Sequence, residues 1–222
     1  MSDFFTVHSY PRRERAFVEK VSALFDCDDL STLHERIEAP TGLLKPVQDQ
    51  STPFHKTFYA AFSADAHSLR SEYLDFIRGV VRPLAREMGL GAVIYQAVPT
   101  FRVQLPGNLA VGEFHKDGDY GHPEGEMAFW LPLTEARGTA AVQFGDPAGP
   151  LVSADVSPGQ FWVGNTRDVL HGNLPNTTGK TRVSFDFRVL PLEKYDPNNA
   201  SRSVAAKKRF IVGDYWAYGD EK

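Results

Sequence analysis

The sequence predicts a mainly β fold entered through a helical segment: a sandwich or open barrel with helices packed outside one sheet. Three observations predict it. Apolar residues in roughly the first ninety positions recur at helical spacing. From residue 93 onward, short runs rich in Val, Phe, Trp and Thr are separated by Gly, Pro, Asn and Asp, which is the pattern of strands and turns. The length of 222 residues suits one domain.

The elements follow in order. Phe17, Val21 and Leu24 mark a helix within 11–25, with Pro11 suited to its first turn. A second, shorter helix starts at Asp28 or Asp29, carries Leu30, Leu33 and Ile37, and ends at Pro40 and Gly42. The strongest helical pattern covers 64–88. There Leu69, Tyr73, Phe76, Ile77 and Val80 share a side, Pro83 kinks or interrupts the helix, and Gly89 and Gly91 close it. Strands are expected at 93–97, 100–105, 110–115, 126–133, 139–144, 151–156, 160–163, 167–171 and 181–190. The tail from Leu192 holds a turn at Asp196-Pro197-Asn198-Asn199, a basic stretch and the aromatics Phe210, Tyr215, Trp216 and Tyr218. It is expected to wrap the barrel or meet a partner. The chain is thus read as one domain over 1–222, with a helical part at 1–92, a β core at 93–191 and a tail at 192–222.

Composition narrows the function. A net charge of −4 gives no electrostatic reason to expect nucleic acid. No apolar run reaches the roughly 18 residues that cross a bilayer, and residues 1–15 lack the apolar stretch of a signal peptide. Cys27, the single cysteine, has no internal disulfide partner. The expectation is a cytoplasmic protein acting on a small molecule. Self-association is left open.

The chemistry is concentrated in Val111-Gly112-Glu113-Phe114-His115-Lys116-Asp117-Gly118-Asp119. His115 and Asp117 are two apart, so on an extended strand they face one way. His171 arrives on a late strand, followed by Gly172 and Asn173. Two imidazoles and one carboxylate occupy one face of an octahedral ion and leave three positions open, as in non-haem Fe(II) oxygenases. An isolated His-x-Asp pair recurs by chance, and a lone histidine is more often a hydrogen-bonded one. Arg182, eleven residues beyond His171, separates the readings. Its planar fork pairs with a carboxylate, Ser184 shares its face of the strand, and a buried arginine is costly without an anion. Strand parity puts Asp186 and Arg188 on that face too, with Val183, Phe185, Phe187 and Val189 opposite. Arg102 and Gln104 share a face on an early strand. Arg102 either pairs with Asp186 or an anionic ligand inside the barrel, or these charges fringe it in solvent. Gln104 joins Arg182 and Ser184 as a co-substrate candidate. Arg102, Asp119, Tyr120, Trp130 and Asn173 are candidates for touching substrate, with Glu124 beside them. Trp130 and Trp162 are otherwise core aromatics. His8, His34, His55 and His67 are read as non-ligands, and so is His122, placed near the entrance.

His-x-Asp, a distal His and then Arg-x-Ser resembles the 2-oxoglutarate/Fe(II) oxygenase superfamily. A longer likeness runs through Pro99-Thr100-Phe101-Arg102-Val103-Gln104-Leu105-Pro106-Gly107-Asn108, Glu113-Phe114-His115-Lys116-Asp117-Gly118-Asp119-Tyr120, Phe129-Trp130-Leu131-Pro132-Leu133-Thr134, and the block from His171-Gly172-Asn173 to Thr181-Arg182-Val183-Ser184-Phe185-Asp186-Phe187-Arg188. It is similar to oxygenase-like proteins encoded in streptomycin biosynthesis clusters and covers about residues 95 to 195. Residues 141–146 depart from that group's pattern and are read as lining the substrate pocket.

The resemblance implies a double-stranded β-helix, a jelly roll of cupin type, with helices on one sheet. It implies Fe(II) held by His115, Asp117 and His171, 2-oxoglutarate held by Arg182, and O2 as oxidant, giving succinate and CO2. The implied reaction is hydroxylation of a small polar metabolite: a sugar, an aminocyclitol or an amino-acid derivative. Halogenating relatives generally lack the carboxylate that Asp117 supplies. Oxidative cyclisation or desaturation uses the same iron set. A cupin-type isomerase or lyase without 2-oxoglutarate is the further alternative, and Arg182 with Ser184 argues against it.

Overall fold

The computed structural model describes residues 4–10, 16–37, 50, 52–110, 113–203 and 207–219. Strand β1 (Phe5–Ser9) leads into helix α1 (Ala16–Phe25), then a 3-10 helix at Leu30–Arg36 capped by Asp29. Helices α2 (Pro53–Ser63), α3 (Leu69–Phe76) and α4 (Arg82–Glu87) complete the helical part. The helix expected over 64–88 is four segments. A 3-10 turn precedes α3, and a π turn at Ile77–Val81 joins α3 to α4. The π turn ends two residues before Pro83, whose missing N–H and bulky ring disfavour the ordinary i to i−4 ladder. Pro11, Pro40 and Gly42 lie outside the described residues.

The remaining strands are β2 (Val93–Gln96), β3 (Thr100–Gln104), β4 (Met127–Pro132), β5 (Gln143–Phe144), β6 (Val152–Ser153), β7 (Gln160–Gly164), β8 (His171–Gly172), β9 (Arg182–Pro191) and β10 (Trp216–Ala217). All paired strands are antiparallel. Seven form one sheet in the order β1-β7-β4-β9-β2-β10, with β3 also on β9, and the order β6-β5-β8 forms a second. Strand β9 organises the large sheet. Its last residues pair with β2, its first with β3, and its other edge with β4 over 184–189.

Several expected strands are shorter. Residues 138–140 turn as a 3-10 helix, so 139–144 reduces to β5. Residues 166–168 form a turn, so 167–171 ends as β8. Of 110–115, the described residues give only a bridge at His115. Strands β1 and β10 and helix α2 were not expected. The tail wraps the sheet edge: β10 adds beside β2, and Phe210, Tyr215 and Trp216 pack with Ile94 and Leu190.

Two unlike layers result. One face of the large sheet, with Phe101, Phe129, Phe161, Val183, Phe185 and Phe187, packs against Phe17, Val21, Phe58, Tyr73 and Phe76 of the helices. The other face looks toward the small sheet. There Trp130 and Trp162 meet Val142, Phe144, Ala154 and Val156, and Arg182, Ser184, Asp186 and Arg188 of β9 alternate with the apolar residues of the other face.

Candidate metal centre

The three proposed ligands are brought together by two short pieces of backbone. His115 and His171 exchange a reciprocal pair of 3.0 Å backbone hydrogen bonds. Two residues on, the amides of Asp117 and Gly118 donate to the carbonyls of Thr166 and Arg167, each at 3.0 Å. The segment carrying the close pair is therefore zipped to the segment that ends in the distal histidine. The expectation that His115 and Asp117 share one strand is corrected. His115 sits on an isolated bridge and Asp117 opens a 3-10 helix (Asp117–Tyr120), with Lys116 extended between them. One extended residue keeps both side chains on the same side before the chain turns.

The side chains meet. Metal-ligand atoms of His115, Asp117 and His171 all lie within 4.8 Å of one another. Asp117 Oδ1 is 3.3 Å from His115 Nε2 and 3.8 Å from His171 Nε2. Each imidazole donates its Nδ1–H to a backbone carbonyl, His115 to Glu113 at 2.9 Å and His171 to Val169 at 3.1 Å. This orients the rings and turns both Nε2 atoms toward Asp117 Oδ1. Burial lowers the His171 pKa to about 4, so the ring is the neutral donor that a metal requires. At His115 burial pulls the same way, but the hydrogen bond with Asp117 and the Glu113 carbonyl outweigh it and raise the pKa. Burial pushes Asp117 upward too, yet the Arg188 guanidinium, with His115 and His171, holds it well below the usual carboxylate range. It is a carboxylate at neutral pH.

Behind this triad lies a chain of buried charges. Arg188 donates to Asp117 Oδ2 from Nη2 at 2.8 Å and from Nε at 3.1 Å, and to Asp186 Oδ2 at 2.6 Å. Asp186 accepts from Arg102 Nε at 3.0 Å, so the pairing proposed inside the barrel exists. Burial would raise Asp186, but Arg102 and Arg188 keep its pKa low. Arg188 Nε is also 3.3 Å from Glu126 Oε1, which lies 2.7 Å from His122 Nδ1. Thr166 donates to Asp117 Oδ2 at 2.6 Å. Donor atoms of Asp117, His122 and Glu126 also lie within 4.8 Å of one another. The Arg188 guanidinium touches both of those carboxylates and already supplies the positive charge there.

A small cavity, partly open to solvent, connects the triad to the polar face of β9. Arg102, Trp130, Asn173, Arg182, Asp186 and Arg188 line it with the triad. Arg182 is 1% exposed. It donates to Ser184 Oγ at 2.8 Å and to the Ala140 carbonyl at 3.1 Å, and its guanidinium lies 5.3 Å from the Trp130 ring centre. Val142 lines the cavity, the one residue of 141–146 to do so. Gly172 lets the walls approach: a Cβ there would lie 2.8 Å from the Phe114 ring.

Other sequence candidates lie elsewhere. Gln104 is fully buried opposite Arg182 in the β3–β9 register, but its amide donates to backbone carbonyls, Leu174 at 2.8 Å and Asn108 at 3.3 Å. It braces loops and does not line the cavity. Asp119 is exposed. Tyr120 is 45% exposed, and its ring lies 5.3 Å from that of His115, at the rim. Glu124 faces outward, 3.9 Å from Lys194. His122 does not guard the entrance. It lies behind the triad against Phe210, with ring centres 4.7 Å apart. Arg188 was placed on the inner face by strand parity but given no partner. Thr166 and Glu126 carried no sequence signal, because each reaches its partner from a segment with no motif of its own.

No protein-family model matches the chain. It is 36% identical over 171 residues to the streptomycin biosynthesis protein StrG of Streptomyces griseus, a match that takes in 76% of this chain and 77% of that protein. Its fold is similar to that of AviO1 from Streptomyces viridochromogenes Tue57, with a TM-score of 0.51, 16% identity, and 87% and 92% of the two chains covered. It is similar to the non-heme monooxygenase ThoJ in its nickel complex, with a TM-score of 0.55, 13% identity, and 99% and 85% covered. It is also similar to the non-heme alpha-ketoglutarate-dependent carbocyclase SnoK of nogalamycin biosynthesis, with a TM-score of 0.53, 14% identity, and 83% and 79% covered.

Proposed function

The chain belongs to the family of the streptomycin biosynthesis protein StrG, and we propose that it is a non-haem Fe(II) oxygenase that uses 2-oxoglutarate to hydroxylate a small polar metabolite. One observation carries the reading. Two imidazole nitrogens and one carboxylate oxygen converge at the cavity wall, and a buried arginine lies in the same cavity. The donor set fits iron: both Nδ1 atoms are occupied by carbonyls and both Nε2 atoms face Asp117 Oδ1. Two nitrogens and one oxygen on one face leave the open positions that co-substrate and oxygen need. The two facing antiparallel sheets support reading the core as a double-stranded β-helix.

In this reading His115, Asp117 and His171 hold Fe(II). The iron supplies activation of O2 coupled to decarboxylation of 2-oxoglutarate, with succinate and CO2 released. The chain's own residues bind and orient. Arg182 takes the distal carboxylate of 2-oxoglutarate, its fork held by Ser184 and the Ala140 carbonyl beside the Trp130 ring. The tryptophan wall around the site keeps water away from the reacting atoms. Arg102, fixed by Asp186, and Asn173 present polar groups to substrate at the other lining surfaces. The non-heme monooxygenase and carbocyclase among the structural relatives share this fold. We assign hydroxylation here because Asp117 supplies the carboxylate ligand that halogenating relatives generally lack.

The test is formation of succinate from 2-oxoglutarate by anaerobically purified protein given Fe(II) and then O2, followed by nuclear magnetic resonance. Succinate is expected, and addition of a chelator stops it. Arg182→Ala raises the 2-oxoglutarate concentration needed at half-maximal rate by roughly 10- to 100-fold, the loss of about 1.4–2.7 kcal/mol. Absence of succinate from the metal-loaded protein, or an unchanged requirement in the variant, removes the assignment.

A further inference from the structure

We propose that Arg188 and Thr166 are positioning residues that confine Asp117 to one-atom ligation, reserving Oδ1 for the metal and keeping Oδ2 away from it. The proposal rests on the metal-site reading above and adds how the carboxylate is controlled. Asp117 Oδ2 accepts three hydrogen bonds, from Thr166 Oγ1 at 2.6 Å, Arg188 Nη2 at 2.8 Å and Arg188 Nε at 3.1 Å. A carboxylate oxygen offers about two lone-pair directions, so this one is saturated. Oδ1 is the oxygen that faces both Nε2 atoms. A carboxylate free to swing could bind through both oxygens and fill one of the three positions that the chemistry keeps open.

Arg188 is itself unable to move with the carboxylate. It is buried, its Nη1 is tied to Asp186 at 2.6 Å and its Nε lies 3.3 Å from Glu126. Asp186 is fixed by Arg102, and Glu126 by His122, which the tail residue Phe210 covers. The clamp is thus anchored on both sides, by the cavity wall and by the C-terminal segment. A lysine would bring charge without the fork that grips from two nitrogens. Thr166 contributes from another direction, since its own loop already holds the Asp117 amide.

The experiment is Co(II) titration of the full chain without oxygen, read by d–d absorption and by apparent Kd. The variants are Arg188→Gln, Arg188→Lys and Thr166→Val, with thermal unfolding recorded for each. In Thr166→Val and Arg188→Gln the expected Kd rises by about 10- to 100-fold, and the band positions shift as the carboxylate binding mode changes. Arg188→Lys recovers less than half of the spectral change. Arg188→Gln leaves Asp186 and Glu126 buried beside a lost cation; if it does not fold, Thr166→Val, which removes the hydroxyl that donates to Asp117, decides alone. Folded variants with wild-type Kd and bands overturn the proposal. A drop in melting temperature with Kd and bands intact also overturns it, since a merely structural ion pair behaves that way. Wild-type protein that binds no Co(II) overturns the metal-site reading instead.

Discussion

Single residues here act through hydrogen bonds whose geometry fixes what is left free. Asp29 is an example at some distance from the metal. Its carboxylate accepts from the Ser31 amide at 2.9 Å and caps the 3-10 helix at Leu30–Arg36. That helix in turn meets the start of β9: Thr181 N–H donates to the Ser31 carbonyl, and Thr181 Oγ1 accepts from the His34 amide. The Asp29 cap therefore braces the backbone that delivers Arg182. Hydrogen bonds from Ser31 hold the Asp29 pKa below the usual carboxylate value. A lowered folded-state pKa means that the cap's contribution is present above the unfolded pKa near 3.8 and fades as pH falls through the folded value. Asp29→Ala is expected to cost about 1 kcal/mol at pH 7, with the difference from wild type vanishing toward pH 2 in urea melts. A pH-independent difference would assign the loss to something other than the ionised cap. The same logic explains which site residues were readable in sequence. His115, Asp117, His171 and Arg182 sit at spacings that regular backbone or a short turn converts into convergence. Asp186 and Arg102 follow from strand parity. Thr166 and Glu126 do not, because a hydroxyl in a turn and an acid before a strand carry no spacing that points at Asp117.

At the scale of elements, β9 is the part on which both halves of the protein depend. From 182 to 189 its odd positions are apolar and meet the helices, and its even positions are polar, with Arg182, Asp186 and Arg188 lining the cavity, before Leu190 turns to the aromatic tail. Phe187 shows the apolar side. It is fully buried, with ring centres 5.3 Å from both Tyr73 and Phe129. Phe187→Ala is expected to destabilise by about 3–5 kcal/mol, measured as a lower urea midpoint with unchanged slope. A loss below about 1 kcal/mol would mean that the helices do not rely on this strand. The alternation made β9 legible. The elements that escaped notice lacked it: β1 is mostly exposed or half-exposed on an edge, and β10 is two residues long. Helix α2 begins at Pro53 and buries five of its eleven residues, Phe54, His55, Phe58, Ala61 and Phe62, around a stripe that its polar neighbours obscure. The short strands of the small sheet were overextended because Val and Phe mark β propensity, while turns at 138–140 and 166–168 are set by tertiary contacts.

For the whole molecule, the site is the gap between two sheets, so a ligand there ties together segments that are far apart in sequence. Residues 115–117 and 171 belong to loops and short strands held to each other by four backbone hydrogen bonds, and Arg182 belongs to the central strand of the large sheet. An unfolded chain has no such convergence, so metal binds the folded state selectively and stabilises it. With free Mn(II) at about 100 times its Kd the gain is about 2.7 kcal/mol, which for a chain of this length raises the melting temperature by roughly 5–11 °C. Replacing His171 with alanine is expected to abolish that rise, because only two donors remain. Adding 2-oxoglutarate to the Mn(II) form is expected to give a second rise, lost in Arg182→Ala, since the co-substrate then bridges the metal face and β9. The order of addition is diagnostic: 2-oxoglutarate without metal gives little or no shift if both ends of the diacid must be held. An equal shift from 2-oxoglutarate in the presence of chelator would place its binding outside this cavity and break the link between Arg182 and the metal face.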